Sequence, residues 1–280
     1  METVDEAKII VRPFELWQAE WEHSLRQTIQ RLNTVLSIGK SRGNYYRGIP
    51  VSNLIHEGRQ AVQAKNREAA SVCLILLEKL VEDLERVHRY SKLLFAHYKK
   101  RLRKVGEPEY RGLRFEIGTA SAFIRQKVSF SGSIDTTRSE PDFTVRTDGG
   151  NVSVECTVCE VRETQASNVF FKIGASLRKK GSKIYAGVNT VIFVDATDLV
   201  YARMDDGNPH LLNQLSLRSD VSLILAELPI ASAVLVMYVF EDSPITGRRY
   251  SRSYLRCDNK NGGSNAARCL NAFYPSGGDD

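Results

Sequence analysis

Pro141-Asp142-Phe143-Thr144-Val145-Arg146-Thr147-Asp148-Gly149-Gly150-Asn151-Val152-Ser153-Val154-Glu155-Cys156-Thr157 is the stretch on which the fold turns. Phe143 to Arg146 and Val152 to Val158 alternate and are β-branched. The Asp148-Gly149-Gly150-Asn151 run between them is rich in turn formers, so the segment predicts a β-hairpin. In its second strand the period of two sets Val152, Val154, Cys156 and Val158 on one face and Ser153, Glu155 and Thr157 on the other. Asp142, at the mouth of the first strand, can reach the space that Glu155 faces. Two such carboxylates suit a hard divalent cation with oxygen ligands.

Outward from the hairpin, the chain reads as an α/β layer. Asn189 to Asp195 and Ala233 to Phe240 are nearly continuous apolar runs, the pattern of strands buried on both faces. Leu211 to Leu228 between them predicts a crossover helix. Val169 to Lys183 predicts another, with Val169, Ile173, Leu177 and Ile184 as its buried stripe. Asp195, Asp198, Asp205 and Asp206 read as a strand end and turn, not as a second metal site.

The order of these elements, with Pro141-Asp142 followed after a short hairpin by Glu155-Cys156-Thr157, resembles the PD-(D/E)XK, or restriction-endonuclease-like, nuclease superfamily. The likeness covers roughly residues 110 to 240. Leu113 to Ile124 looks like the helix that precedes the hairpin in that fold and often supplies an extra acidic residue, here Glu116. The resemblance implies a mixed sheet flanked by helices, and metal-assisted hydrolysis of DNA phosphodiester bonds. Asp142, Glu155 and Glu116 would hold Mg²⁺ or Mn²⁺. One motif position departs from the family. Where a lysine usually assists the attacking water, this chain has Thr157, whose hydroxyl carries no charge. Some members move that lysine to the following helix, and here Lys180 is the first candidate and Lys172 the second, with Lys179 further along. A defence or mobile-element role follows only by analogy. The alternative is a nuclease fold without catalysis, serving as a nucleic-acid-binding or interaction scaffold.

Charge supports a polyanionic partner, most simply DNA. The chain of 280 residues carries a formal net charge of +6, with an isoelectric point near 9.0. Eight lysines and arginines lie between Arg86 and Lys104 with no acidic residue among them. Arg248, Arg249, Tyr250, Arg252, Tyr254 and Arg256 form a second basic run. As a strand it would project residues 248, 250, 252, 254 and 256 together, a face able to grip phosphates and stack on bases. The structural counterpart of that reading is an edge strand protected by charge.

The first hundred residues are helical in pattern. Phe14 to Ile38 is amphipathic, with Phe14, Trp17 and Trp21 leading into Leu25, Ile29, Leu32 and Leu36. A basic, tyrosine-containing loop runs from Gly39 to Pro50. A longer helix is predicted from about Arg67 to Arg103, striped by Leu74, Leu77, Val81, Leu84, Leu94, Tyr98 and Leu102. Three regions follow: a helical region at 1–108, the nuclease-like domain at 109–258, and a glycine-rich, partly flexible tail at 259–280. A homodimer or protein partner through the N-terminal helices stays open.

Other chemistries are excluded by spacing. Cys156 and Cys159 form a lone Cys-X-X-Cys with no second pair or local histidine to complete a zinc shell. The five histidines are scattered, and Gly39-Lys40-Ser41 lacks the upstream glycine of a phosphate-binding loop. The longest apolar runs are too short to cross a bilayer. The acidic start, Met1 to Glu6, and unpaired cysteines predict a cytoplasmic protein with no membrane partner.

Overall fold

The computed structural model describes residues 13–36, 50–134, 140–159, 169–197, 214–243, 247–271 and 274. Among them it is an α/β protein with a six-stranded mixed open sheet and eight helices. Helices α1 (Phe14–Val35), α2 (Pro50–Gln63), α3 (Arg67–Tyr90), α4 (Lys92–Leu102) and α5 (Glu107–Arg125) come first. Strands β1 (Phe130–Gly132), β2 (Phe143–Thr147) and β3 (Gly150–Val158) follow, then α6 (Val169–Gly181), β4 (Thr190–Asp195), α7 (Gln214–Ala226), β5 (Ser232–Ser243), β6 (Gly247–Asp258) and α8 (Ser264–Asn271). No described helix is long and apolar enough to cross a membrane.

The sheet order is β1-β2-β3-β4-β5-β6. The β1–β2 and β2–β3 pairs are antiparallel, and β3–β4 and β4–β5 are parallel. Parallel neighbours need a crossover, which α6 and α7 supply. In the hairpin Thr147 pairs with Gly150, leaving Asp148 and Gly149 as the turn. Gly150 takes a φ of +120°, which a side chain would strain. All six residues of β4 are buried, as its apolar run predicts.

The two sheet faces carry different layers. Ile192 and Val194 of β4 pack with Ile173 and Leu177 of α6 and with Leu217, Val221 and Leu225 of α7. Phe193, pointing the other way, meets Phe123 of α5 at 6.0 Å between ring centroids. Phe123 also meets Phe130 and Phe143 edge-on at 5.4 and 5.6 Å. Such pairs add about 0.5–1.5 kcal/mol each beyond their buried area. Glu155 is in register with Ile192, so it belongs to the α6 face. Cys156, in register with Phe193, belongs to the α5 face.

The chain divides into two compact units, Met1–Glu82 with Phe240–Ser251, and Asp83–Val239 with Arg252–Asp280. In the first, Trp21 is buried and donates its indole N–H to the Ala70 carbonyl at 2.9 Å. A Cβ on Gly58 would come within 3.0 Å of the Trp21 ring and 3.2 Å of Cys73, so α2 approaches its neighbours through that glycine. The Arg67 guanidinium lies over the Phe14 and Trp17 rings at 5.5 and 5.6 Å.

Several expectations are corrected. The long helix predicted over Arg67–Arg103 is two helices, because Ser91 leaves the helical path and caps α4 by accepting the Leu94 N–H at 3.2 Å. The division between units falls inside α3, not at residue 108. Arg86 reaches Ser121 on α5 at 2.7 Å, and Tyr90 stacks on Phe130 at 5.1 Å, tying the end of α3 to the sheet unit. Ile184 is no part of the buried stripe; α6 ends at Gly181 and Ile184 is 90% exposed. Strand β1 carries too little pattern to be anticipated, whereas α2, not anticipated either, buries Val51, Ile55, Gly58 and Val62 at helical spacing.

The tail also differs from its predicted partial flexibility over the stretch that is described. The Asn259 amide donates to the carbonyls of Leu225, Leu228 and Ile230, α8 follows, and Tyr274 is buried. Residues 39–49, 198–213 and 275–280, with the loop tyrosines and with Asp198, Asp205 and Asp206, lie outside the described residues.

Candidate active site

Asp142 precedes β2 and Glu155 sits mid-way along β3, and antiparallel pairing of Phe143 with Val154 carries both carboxylates to the same end and face. Glu155 is fully buried. A buried carboxylate needs partners, and three donors come from α6 and the turn after it. Lys180 Nζ is 2.6 Å from Glu155 Oε2 and Lys183 Nζ is 3.0 Å from the same oxygen. The Tyr185 hydroxyl donates to Oε1. Lys180 also lies 3.6 Å from Asp142 Oδ2, which accepts the Cys156 backbone N–H at 2.7 Å. The Asp142–Glu155–Lys180 cluster therefore joins two strand carboxylates and one helix ammonium.

The electrostatics follow from burial. Loss of water raises the Asp142 carboxyl; Lys180 opposes this and Glu155 reinforces it, with a net rise. For Lys180 burial disfavours the ammonium, but Asp142 and Glu155 outweigh it and its pKa rises. Lys180 thus stays charged. Burial, then Glu155, pushes the Tyr185 phenol strongly upward, so it remains a donor.

Glu116 comes from α5 on the other layer. Both its oxygens take Arg101 Nη1 at 2.8 Å. Burial still lifts its carboxyl to about 7, against the pull of Arg101 and with a further push from Asp142. Arg101 belongs to the basic run of α4, so part of that run is turned inward. Arg86 is likewise engaged with Ser121 and with Asp83 at 3.5 Å, while Lys92, Lys100, Arg103 and Lys104 are exposed.

Of the lysines considered on α6, Lys180 is the one at the carboxylates. Lys179 is exposed. Lys172 stands toward Cys159, whose Sγ lies 3.3 Å from Ser176 Oγ and near the Lys172 carbonyl. Cys156 and Cys159 are both buried and unbonded to each other, and burial pushes both thiols up. Sequence reasoning missed Lys183, Tyr185 and Arg101. Lys183 and Tyr185 flank the exposed Ile184 on the turn after α6, and no period in the sequence marks that turn as part of the site.

The arginine strand forms as β6, but Arg256 is turned inward. Arg256 is 6% exposed and donates to Asp258 Oδ1 at 2.8 Å, Asn271 Oδ1 at 2.6 Å and the Tyr274 carbonyl at 3.0 Å. It holds α8 in place and offers nothing to a phosphate. Tyr254 is partly buried against the Tyr274 ring at 4.7 Å. The side chains of Arg248, Arg249, Tyr250 and Arg252 lie outside those described.

The donor chemistry at Asp142 and Glu155 fits a hard divalent cation, since both offer carboxylate oxygens alone. Glu116 is committed to Arg101 instead. Among the described residues no three His, Cys, Asp or Glu side chains are gathered as a metal cluster, and Glu155 is neutralised by ammonium groups. Comparison of the chain with family models, curated proteins and solved structures found no match.

Proposed function

We propose that this chain is a divalent-cation-dependent deoxyribonuclease of the PD-(D/E)XK kind. The observation that carries the reading is the convergence of Asp142, Glu155 and Lys180 at one strand end. The succession α5-β1-β2-β3-α6-β4, with the two carboxylates on the hairpin and the lysine on the next helix, is the arrangement the resemblance implies. A helix lysine there supplies the positive charge that Thr157 cannot.

Asp142 and Glu155 would hold Mg²⁺ or Mn²⁺. The chemistry supplied by such a cation is polarisation of a phosphoryl oxygen and a lowered pKa for attacking water. Lys180, kept charged by both carboxylates, orients that water and offsets the charge growing on the phosphorus oxygens. The exposed Lys92 and Lys100 of α4, with Arg103 and Lys104 just after it, give the polyanion a positive surface.

The test incubates purified protein with linear, circular and single-stranded DNA and with RNA, in Mg²⁺, Mn²⁺ or EDTA, beside Glu155→Gln and Lys180→Met variants. Metal-dependent cleavage lost in both variants supports the reading, and the preferred polymer decides DNA against RNA. Cleavage that survives in Glu155→Gln overturns the site. A second reading, a silent nuclease-fold scaffold, draws on the saturation of Glu155 by three donors. It predicts salt-sensitive binding with no cleavage under any metal.

A further inference from the structure

Lys183 and Tyr185 play no part in the hydrolysis as described, yet both are spent on the central carboxylate. Asp142 and Glu155 carry two negative charges, matched by Lys180 and Lys183. A dication entering this neutral group meets two ammonium ions, so one of them must give way. Geometry decides which. Lys180 bridges both carboxylates from the last turn of α6 with its side chain 17% exposed, whereas Lys183 sits on the turn beyond the helix at 35% exposure. Its contact with Glu155 is the longer, 3.0 Å against 2.6 Å. In that same position Lys183 Nζ is also held from a second side, 2.6 Å from the Tyr185 hydroxyl and 5.3 Å from the centre of that ring.

We propose that Lys183 is a displaceable internal counter-ion: it neutralises Glu155 until a divalent cation binds, then swings on the Tyr185 anchor to take a non-bridging oxygen of the phosphodiester. Lys183 is thus a substrate-binding residue that couples cation loading to substrate capture, and Tyr185 is the positioning residue that limits how far it moves. The inference rests on the nuclease reading for its phosphodiester half and on the Glu155 geometry alone for its cation half.

The experiment measures Mn²⁺ binding by calorimetry, without nucleic acid, on wild type, Lys183→Met, Lys183→Arg and Glu155→Gln, and KM and kcat for DNA on the same proteins. Removing a half-exposed competing ammonium should tighten Mn²⁺ by about fivefold. KM should rise by a similar factor, about fivefold, with kcat changing less. Lys183→Arg should restore the wild-type Mn²⁺ affinity, and Glu155→Gln should bind Mn²⁺ more weakly than either. Equal or weaker Mn²⁺ binding in Lys183→Met overturns the inference, and if the wild type still cleaves, the nuclease reading survives it. Tighter Mn²⁺ binding without cleavage in any protein upholds the counter-ion and sinks the nuclease. Mn²⁺ binding in none of the proteins sinks both.

Discussion

Glu155 on β3 and Arg256 on β6 are both charged residues inside the sheet unit, 0% and 6% exposed, and each makes three side-chain hydrogen bonds. Their partners differ in kind. Arg256 is met by one carboxylate, one amide and one carbonyl, which engage its Nε and Nη1 and tie it to the C-terminal helix. Glu155 is met by two ammonium groups and a phenol, with a second carboxylate beside it, so like charges are crowded on both sides. The first arrangement is at rest. The second concentrates charge that a cation and a phosphate can exchange with, and perturbed groups of this sort mark functional sites more often than structural ones.

The largest effect should come at Glu155. Glu155→Gln is expected to lower metal-dependent cleavage by about a thousandfold while urea denaturation shows a change within about 1 kcal/mol, since Lys183 returns to solvent and Lys180 keeps Asp142. A stability loss equal to that of Arg256 would erase the distinction between the two residues. Arg256→Met should do the opposite, costing about 3 kcal/mol in urea midpoints through two unpaired acceptors and lost packing around α8. Its cleavage and salt-dependent DNA binding below the unfolding transition should match wild type, because no phosphate reaches it.

Acidity separates the Glu116 layer from both. Burial keeps Glu116 protonated to about 7 in the fold against an ordinary value of 4.5. Between those values the native state binds the extra proton, so this group stabilises the fold as pH falls from 7 toward 4.5 and the contribution disappears as pH rises through 7. Wild type should gain roughly 2 kcal/mol between pH 8 and pH 5 relative to Glu116→Gln. Parallel stability profiles for the two proteins would refute that assignment. The smallest effect belongs to the outer lysine: Lys179→Ala, exposed on α6, should change activity by less than about twofold, whereas Lys180→Met should fall at least about a hundredfold.

Much of the layered architecture was legible because period and hydrophobicity act locally. The alternation around Asp148-Gly149 marked β2 and β3, and the unbroken apolar run of Thr190–Asp195 marked a central strand. The stripe Leu74, Leu77, Val81 and Leu84 is buried as read. What failed was local too weakly or non-local altogether. One serine cap splits α3 from α4, and a three-residue strand has no period to show. Basic residues on a face look alike in sequence whether they meet solvent or an internal acid, which is why Arg101 does not stand out from its basic run and Arg256 reads as a phosphate contact.

By itself the sequence determined that residues 141–157 form a hairpin with a carboxylate on each arm, that helices and apolar strands alternate after it, and that Lys172, Lys179 and Lys180 follow on the crossover. These depend on nearest-neighbour sterics and on side-chain period. Only the tertiary structure decided which lysine meets the carboxylates, that Lys183 and Tyr185 join it, that Arg101 takes Glu116, and that Arg256 serves α8. Those pairings are set by parallel register and by the angle at which a helix returns across the sheet. Charges 15 to 28 residues apart are then matched by the cost of leaving any of them buried alone.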